Sequence, residues 1–334
     1  MKVVVIGSQG FIGGYVCGRF IKEGWSVIGI DNINMYKPDN YDLFLRHYEL
    51  RQKTQLCKLN AFYRCDASRG TEVARIIRKH SPEIVINVAG TSIADVCKKN
   101  TEEAVQSIYN LSANILEAIK DYGKLDRYVF ISSSMVYGDF LCDSPDEESL
   151  KNPKDPYGAI KLGAELLIQS FDRQFGLPYT IIRPSAVYGP LDSNMRVTGI
   201  FLMNAHIGKP LRVENVDEKL DFTYIDDTTE GIFLAATHKN GANEVFNITR
   251  GEGRTILELA EEIRTHYPNI TIVKNTAGEH MEGLIRPVRG ALGINKARRL
   301  LGYSPKYSLK EGVALYAREW KKIYGDTSCT AVQA

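Results

Sequence analysis

Short apolar runs and amphipathic stretches alternate along the first half of the chain. Six runs rich in β-branched and aromatic residues have the length and composition of strands buried on both faces: KVVVIG (2–7), WSVIGID (25–31), AFYRCD (61–66), EIVINVAG (83–90), RYVFISSS (127–134) and PYTIIRPS (178–185). Helical patterns separate several of these runs, and they cover residues 11–23, 71–79, 101–122 and 157–175. This alternation predicts an α/β fold, a doubly wound parallel sheet with helices on both of its faces.

The pattern loosens beyond Pro184. Loops marked by Gly and Pro, short strands and two further helical stretches, at 255–265 and 295–301, predict a smaller mixed α/β lobe. The segment 32–60 is long for a connection between strands, so we expect it to carry a helix of its own.

Composition narrows the class of partner. The 334 residues include 42 Lys and Arg against 40 Asp and Glu, and a formal charge of +2 argues against a nucleic-acid or membrane partner. The six cysteines form no CxxC pair and no Cys/His cluster at metal spacing, so we expect reduced thiols and no metal. The chain enters a strand at once and has no apolar run of membrane-spanning length, so we expect a soluble, cytoplasmic protein with small-molecule ligands.

A glycine pattern lies between the first predicted strand and the first predicted helix. In MKVVVIGSQGFIGG, Gly7, Gly10 and Gly13 permit a tight turn and a close approach of the backbone to a pyrophosphate at the helix N-terminus. Asp31 follows at the end of the second predicted strand, where a carboxylate accepts both ribose hydroxyls of NAD and repels the 2′-phosphate of NADP. The pattern predicts an NAD site, although Asp31 could instead be a turn residue in front of Asn32.

The stretch DPYGAIK, residues 155–161, places a tyrosine and a lysine on one helix face. Pro156 favours a helix start, and Tyr157 and Lys161 are then one turn apart. A Tyr-x-x-x-Lys pair found in isolation is more often a solvated surface pair, so its meaning depends on the rest of the chain.

Four segments in this order resemble the extended short-chain dehydrogenase/reductases of the nucleotide-sugar epimerase and dehydratase type. They are GSQGFIG (7–13), ISSSMVYG (131–138), PYGAIK (156–161) and IIRPSAVYGP (181–190), and later segments as far as 312 resemble the same family. The resemblance implies that Tyr157 and Lys161 are the catalytic pair and that Ser133 is the catalytic serine, with Ser132 and Ser134 as neighbours easily confused with it.

Physical chemistry is consistent with these roles. A free phenol has a pKa of about 10, and bringing that pKa down to neutral pH requires ~4 kcal/mol. A cation ~4 Å away at an effective dielectric of about 20 supplies about that much. We therefore expect Lys161 to lower the pKa of Tyr157, which then acts as the base, while Ser133 hydrogen-bonds the oxygen that becomes a carbonyl.

The resemblance also implies two sets of ligand contacts. The expected cofactor-binding residues are Gly7, Gly10, Phe11, Ile12, Gly13, Asp31, Asn32, Asp66, Ala67, Ala89, Gly90, Thr91, Tyr157, Lys161, Pro184 and Val187. The expected substrate-binding residues are Ser133, Ser134, Tyr157, Ala186, Arg196, Val213 and Arg289, with Arg286 as a further candidate for the diphosphate. For the loop at Thr91 and for both of the late arginines, purely structural or surface roles are about as plausible, and we interpret Cys97 as an inert thiol.

The resemblance extends to domain organisation and assembly. It implies a Rossmann domain over 1–180 with a return segment at 222–250, and a nucleotide-sugar-binding lobe built from 181–221 and 251–334. The helical stretch 101–122 and the helix after Tyr157 resemble the pair that forms the family's dimer, so we expect a homodimer.

The chain departs from the family at several positions. Ser134 and Met135 stand where dehydratases carry an Asp-Glu pair, which argues against dehydration of the sugar. Leu220, with Lys219 beside it, replaces an arginine at the pyrophosphate. Ile108 replaces an asparagine at the cofactor, so that contact is either missing or supplied by Asn110. Ala186 replaces an asparagine at the diphosphate end of the sugar pocket.

These observations leave a small set of functions. The first is an NAD-dependent epimerase of a nucleotide-activated sugar, most plausibly at C4 through a transient 4-keto intermediate. A nucleotide-sugar dehydrogenase or 4-ketoreductase is the alternative, a 4,6-dehydratase is less favoured, and the complete set of Ser133, Tyr157 and Lys161 argues against a dinucleotide sensor without catalysis. The sequence names neither the sugar nor the base.

Overall fold

The computed structural model describes residues 1–34, 41–56, 58–274 and 287–325. The strands, in chain order, are β1 Lys2–Ile6, β2 Ser26–Asp31, β3 Ala61–Arg64, β4 Ile84–Asn87, β5 Arg127–Ile131, β6 Tyr179–Arg183, β7 Ala186–Tyr188, β8 Leu211–Val213, β9 Lys219–Tyr224, β10 Glu244–Asn247, β11 Gly253–Thr255 and β12 Ile272–Lys274. The α-helices are α1 Phe11–Lys22, α2 Tyr41–Thr54, α3 Gly70–His80, α4 Ala94–Lys99, α5 Thr101–Ala104, α6 Leu111–Ile119, α7 Pro156–Phe175, α8 Val197–His206, α9 Ile225–Thr237, α10 Ile256–His266, α11 Asn295–Leu301 and α12 Leu309–Tyr324.

Seven of the strands form one parallel sheet in the order β3-β2-β1-β4-β5-β6-β10. The strand order reverses at β1, where Val3 pairs with Val27 of β2 on one side and with Ile84 of β4 on the other. In open sheets of this kind ligands bind beyond the carboxyl ends of the strands at such a reversal. The fold thus places a binding crevice where β1 ends and α1 begins.

Alternate side chains of β1 supply two separate cores. Val4 and Ile6 pack among side chains of α3, α6 and α7, whereas Val3 and Val5 pack among those of α1, α9 and α11. These four side chains are at most 1% exposed. Burying each contributes roughly 1.5–3 kcal/mol, which explains why both faces of the sheet are covered.

The second lobe has its own core. Strands β7, β9 and β11 form a small sheet, β8 pairs with β12, and the core between them includes Leu202 of α8, Ile263 of α10 and Trp320 of α12. Helix α9 and strand β10 follow β9 and return the chain to the large sheet. The boundaries predicted for the two lobes stay a prediction.

The predicted helix over 101–122 is interrupted. Helix α5 is followed by a π-helical stretch, Val105–Asn110, before α6 continues to Ile119. A π-helical turn holds an extra residue and therefore rotates the helix face that follows it. The apolar pattern of the sequence predicted the helix but not this change.

Segment 32–60 carries α2, as its length predicted. Its described part lies beside the start of α1, where an ideal Cβ on Gly14 would stand 2.5 Å from the Gln55 Oε1. Its His47 accepts or donates a hydrogen bond at 2.9 Å with the hydroxyl of Tyr324 at the end of α12. Helix α2 therefore contacts both the glycine-rich turn region and the second lobe.

Candidate active site

The glycine turn between β1 and α1 has the geometry that its sequence predicts. Gly7 has a φ of +88° and donates its N–H to the Ile30 carbonyl at 2.8 Å. A Cβ added to Gly13 would lie 1.9 Å from the Gly7 carbonyl oxygen, so only glycine allows the turn and the first turn of α1 to come this close. The start of α1, from Gly10 to Gly13, lines the crevice, and the first N–H groups of a helix have no partner within the helix, as a bound pyrophosphate requires.

Asp31 closes the crevice at the end of β2. Its Oδ2 accepts the Gln9 N–H at 2.8 Å and its Oδ1 accepts the Ile33 N–H at 2.7 Å. Burial raises the pKa of this carboxyl, and the hydrogen bonds from Ile33 and Gln9 partly offset that effect. Since each carboxylate oxygen can accept two hydrogen bonds, capacity remains for ribose hydroxyls.

A crevice of about 300 Å³ joins these elements. Of the residues predicted to bind ligands, it is lined by Gly7, Gly10, Phe11, Ile12, Gly13, Asp31, Asn32, Asp66, Ala67, Ala89, Gly90 and Arg196. The turn without a Cβ at Gly13 and the carboxylate at Asp31 fit a dinucleotide, because they accommodate its pyrophosphate and its ribose.

The crevice has further walls that the sequence did not reveal. They include Gln9, Arg51, Ser92, Gln106, Ser107, Ser193 and Asn194. Arg51 lies in the segment 32–60. The unusual length of that segment was the one feature of the sequence that drew attention to this part of the chain.

The predicted catalytic side chains come together where β5 ends and α7 begins. Asp155 caps α7 by accepting the Gly158 N–H at 2.8 Å, and Pro156 opens the helix, so that Tyr157 enters in its first turn. The Ser133 hydroxyl, from the turn after β5, hydrogen-bonds the Tyr157 phenol. One helical turn on, the Lys161 Nζ donates to the Ile131 carbonyl at 2.7 Å.

Burial controls the electrostatics of this pair. It raises the pKa of Tyr157 to about 12, whereas the charge of Arg196 and the hydrogen bond from Ser133 lower that pKa. Burial also lowers the pKa of Lys161 to about 8, against smaller opposing effects of Cys97 and Glu165. The Lys161 Nζ lies 5.9 Å from the centroid of the Tyr157 ring and 4.7 Å from that of Phe130. The sequence predicted that Lys161 would lower the phenol pKa; here Arg196 is the largest lowering influence.

Three consecutive serines are distinguished by their partners. The Ser132 hydroxyl donates to Glu165, Ser133 contacts Tyr157, and the Ser134 hydroxyl donates to the Ser185 hydroxyl at 3.4 Å. This arrangement supports Ser133 as the serine that faces the reacting oxygen.

A buried ion pair fixes helix α7 against β6. Glu165 lies one turn beyond Lys161 on α7, and it accepts hydrogen bonds from the Arg183 Nε at 3.0 Å and from the Arg183 Nη2 at 2.6 Å. The two side chains are 1% and 3% exposed. Arg183 also donates to the Tyr137 hydroxyl at 2.9 Å, so β6 and the turn after β5 are tied to α7.

The loop after β4 lies against the π-helical stretch. The Thr91 and Ser107 hydroxyls are 2.9 Å apart, and Thr91 itself is buried. Ile108, where the family has an asparagine, is 1% exposed in the core, while Gln106 and Ser107 line the crevice. Asn110, the predicted substitute, donates to Gln106 at 2.8 Å.

Several predicted contacts lie beyond the crevice walls. Pro184 is buried, and its carbonyl accepts the Ser134 N–H at 2.8 Å. On the short strand β7, Ala186 is half-buried and Val187 is buried. Val213 is buried at the end of β8. The structure brings Pro184 next to the turn at Ser132–Ser134 that follows β5. It shows no role for Val213 beyond packing.

The two described arginines of the predicted substrate set reach the site from different elements. The Arg196 Nη2 donates to the Ser92 carbonyl at 3.2 Å, and the Arg289 guanidinium lies 3.4 Å from a Glu218 carboxylate oxygen and 3.8 Å from the Met135 sulfur. Arg286 lies outside the described residues.

Cys97 is fully buried, and burial raises the pKa of its thiol to about 11, so it is a poor nucleophile at neutral pH. The described cysteines Cys17, Cys65, Cys97 and Cys142 are free thiols. No group of His, Cys, Asp and Glu side chains among the described residues is arranged to hold a metal. Nor is any helix in the described ranges long and apolar enough to cross a bilayer.

A parallel sheet with a glycine turn and an acidic residue at the end of β2, together with a Ser, Tyr and Lys set where β5 ends and α7 begins, defines a dinucleotide-dependent oxidoreductase fold of the short-chain type. Residues 3–249 match the model of the NAD-dependent epimerase/dehydratase family, and the chain belongs to that family.

Relatives of known activity match over almost the whole chain. The UDP-glucuronate 4-epimerase of Thermodesulfobacterium geofontis is 30% identical over 318 residues, which are 93% of this chain and 93% of that protein. The dTDP-glucose 4,6-dehydratase of Haemophilus influenzae is 27% identical, with 94% of this chain and 96% of that protein covered. The crystal structure of the Bacillus cereus UDP-glucuronic acid 4-epimerase with UDP-glucuronic acid and NAD superposes with a TM-score of 0.86, at 27% identity, over 97% of this chain and 100% of that chain.

These matches confirm the predicted family, the Rossmann-type fold and NAD as the cofactor. They also confirm the prediction of an NAD-dependent enzyme of the nucleotide-sugar epimerase type. Dehydratases appear among the relatives, so the reaction itself has to be argued from the site.

Proposed function

We propose that the chain inverts C4 of a nucleotide-activated sugar through a transient 4-keto intermediate. The observation that carries this proposal is the contact between the Ser133 hydroxyl and the Tyr157 phenol, with Lys161 one turn behind, in a site that lacks the dehydratase carboxylates at 134 and 135. When bound, NAD supplies the acceptor and donor of hydride.

The chain's own residues handle the proton and the oxygen. The Tyr157 phenolate takes the proton of the C4 hydroxyl, and Ser133 donates a hydrogen bond to that oxygen as it becomes a carbonyl. After the sugar turns over, Tyr157 returns the proton when the alcohol re-forms with the opposite configuration. Lys161 holds the end of β5 in place through the Ile131 carbonyl.

The roles of the other predicted residues are also proposals. Gly7, Gly10 and Gly13 seat the pyrophosphate, Asp31 binds ribose, and Arg196 and Arg289 bind the anionic part of the substrate. The three glycines, Asp31 and Arg196 all line the crevice. Arg289 contacts Met135 in the turn that follows β5.

Dehydration has weaker support. It requires an acid and a base at C5 and C6, and the positions after Ser133 hold a hydroxyl and a thioether instead. A dehydrogenase or ketoreductase would use the same Tyr157 and Ser133, so it is separated from an epimerase by the fate of the cofactor.

UDP-glucuronate is the first substrate to test, because two relatives are named for it. The experiment incubates the protein with NAD and UDP-glucuronate, UDP-glucose or dTDP-glucose, and examines the sugars by NMR. We expect the 4-epimer of one substrate to appear; a 4-keto-6-deoxy product would instead identify a dehydratase.

We also propose a homodimer that works in the cytoplasm. Leu166 of α7 is 56% exposed, which suits a face covered by a second copy. The free thiols and the need for NAD and a nucleotide sugar favour the cytoplasm. The division into a dinucleotide domain, 1–180 with 222–250, and a sugar lobe is part of the same proposal.

A further inference from the structure

A buried arginine on α2 connects the glycine turn to the loop that follows β7. Arg51 is 1% exposed. Its Nε donates to the Gln9 carbonyl at 3.0 Å, and its Nη1 donates to the Leu191 carbonyl at 2.6 Å and to the Ser193 hydroxyl at 3.2 Å. Gln9 belongs to the glycine turn, whereas Leu191 and Ser193 belong to the second lobe. One side chain therefore holds two walls of the crevice together.

The loop that Arg51 holds has an unfavourable backbone at both ends. Leu191 has a φ of +67° and Met195 a φ of +50°, and both side chains are buried. Bulky residues adopt this left-handed region only where the surrounding structure imposes it. The loop therefore depends on contacts such as those of Arg51 to keep its conformation.

The same loop ends at Arg196, which lines the crevice. Arg196 is the residue that precedes α8, and both it and Asn194 hydrogen-bond Ser92 of the loop after β4, at 3.2 and 3.3 Å. Arg196 also lies close enough for its charge to act on Tyr157. The conformation of the loop thus decides where this guanidinium stands.

The glycine turn is fixed at the other end of Arg51. The Gln9 N–H donates to Asp31, and the Gln9 side chain hydrogen-bonds Gln52, the neighbour of Arg51 on α2. Burial lowers the pKa of Arg51 to about 10, and the charges of Asp192 and Asp31 oppose that effect, so Arg51 stays cationic at neutral pH. The charge lies beside the turn where a dinucleotide pyrophosphate binds.

We propose that Arg51 is a positioning residue that couples the dinucleotide site to the substrate-binding cation. It fixes the loop 191–196 in the conformation that presents Arg196, so that a ligand that orders the glycine turn also orders this loop. The inference rests on the proposed function in one respect, that the group expected at Arg196 is the anionic part of a nucleotide sugar. Coupling of this kind acts in both directions.

Hydrogen exchange followed by mass spectrometry tests the contact without any ligand. In Arg51→Met, the amides of 191–196 should exchange ~10-fold faster than in the wild type, because the loop opens locally without its restraint. Lys53→Met is the matched control: it lies on the same helix, is exposed, and removes the same charge. Equal rates for the loop in the two variants would overturn the proposal.

Added NAD tests the coupling. NAD should slow exchange of 191–196 in the wild type and in Lys53→Met but not in Arg51→Met. Equal slowing in all three proteins, or none in the wild type, would overturn the coupling. If Arg51→Met does not fold, Ser193→Ala removes only the hydroxyl contact and should accelerate the same amides to a smaller degree, and unchanged rates there would count against the proposal. A lack of epimerase activity in every protein would refute the proposed function and leave the exchange result standing.

Discussion

At the residue scale, the buried phenol of Tyr157 is the centre of the proposed chemistry. Its environment raises the pKa to about 12, and it contacts Ser133 through one oxygen atom. The charge of Arg196 opposes the effect of burial. Two substitutions separate the proton-transfer role of that oxygen from the electrostatic role of its neighbour.

Tyr157→Phe removes the proton-transferring oxygen and little else. We expect turnover to be lost by a factor of ~10³ or more, while NAD binding measured by calorimetry stays close to that of the wild type. Turnover near the wild-type level would mean that another group takes the proton.

Arg196→Met should move the pH dependence of kcat/KM. Loss of the cation raises the pKa of Tyr157 further, so less phenolate is present at any given pH and the rising limb of the profile shifts to higher pH by roughly one pH unit. Arg196→Lys keeps the charge and should restore most of the wild-type profile. A profile that is lower but unshifted in Arg196→Met would assign this arginine to substrate binding alone.

Part of the site could be predicted because its signals are local in the sequence. Gly7, Asp31 and Tyr157 each belong to a short motif whose geometry is set by one turn or one helix start. Arg51 could not be found in this way, because its role depends on carbonyl groups 42 and 140 residues away along the chain. The influence of Arg196 on Tyr157 likewise comes from tertiary packing.

At the element scale, helix α7 carries the proposed catalytic residues Tyr157 and Lys161 on a buried stripe. Tyr157, Lys161 and Glu165 repeat every four residues, so they lie on one face. The bidentate pair of Glu165 with Arg183 fixes that face against β6. The orientation of the phenol therefore depends on an ion pair two turns away.

Glu165→Gln should destabilise the fold by ~3–5 kcal/mol, because it leaves the Arg183 charge buried without its partner. The free energy of unfolding from urea denaturation measures this. Glu261→Gln is the control, since its pair with Arg264 is 38% and 48% exposed and its loss should cost less than about 1 kcal/mol. Equal small losses for the two variants would show that the buried pair contributes no more than an exposed one.

Regular elements with strong periodicity were predictable, and irregular ones were not. The predicted helix over 11–23 is α1, and that over 157–175 is α7 with Pro156 as its first residue. The sequence gives no signal for the π-helical stretch Val105–Asn110, because its apolar side chains fit an ordinary helix. Helices α8, α9 and α12 beyond Pro184 were not predicted, although α12 carries a local signal, the capping box of Ser308 and Glu311 at its start.

At the scale of the whole molecule, the exposed apolar side chain of Leu166 on α7 bears on assembly. Next to Leu166 on this helix, Gly163 lies against Tyr109, with an ideal Cβ on the glycine 3.5 Å from the ring. The helix that contains Tyr109 and helix α7 thus form a continuous surface on which a second copy can pack.

Leu166→Glu should convert the proposed dimer into a monomer, because it places a charge in an apolar interface. Sedimentation velocity at micromolar concentration measures this. Leu141→Glu, on a loop and 77% exposed, is the control and should leave the assembly unchanged. A wild-type protein that sediments as a monomer would contradict the proposed dimer.

The fate of the cofactor decides between an epimerase and a dehydrogenase. An epimerase oxidises and re-reduces the same sugar in one binding event, so NAD shows no net reduction while product accumulates. A dehydrogenase must release oxidised sugar and form NADH in equal amounts. The absence of carboxylates at 134 and 135 argues against a dehydratase, and the carboxylate of Asp31 at the ribose end argues against a reductase that draws on NADPH, so both features favour the epimerase over those two reactions. We therefore expect the accepted nucleotide sugar to be converted with no growth of absorbance at ~340 nm, the band of the reduced nicotinamide; stoichiometric growth with release of an oxidised sugar would overturn the epimerase in favour of a dehydrogenase.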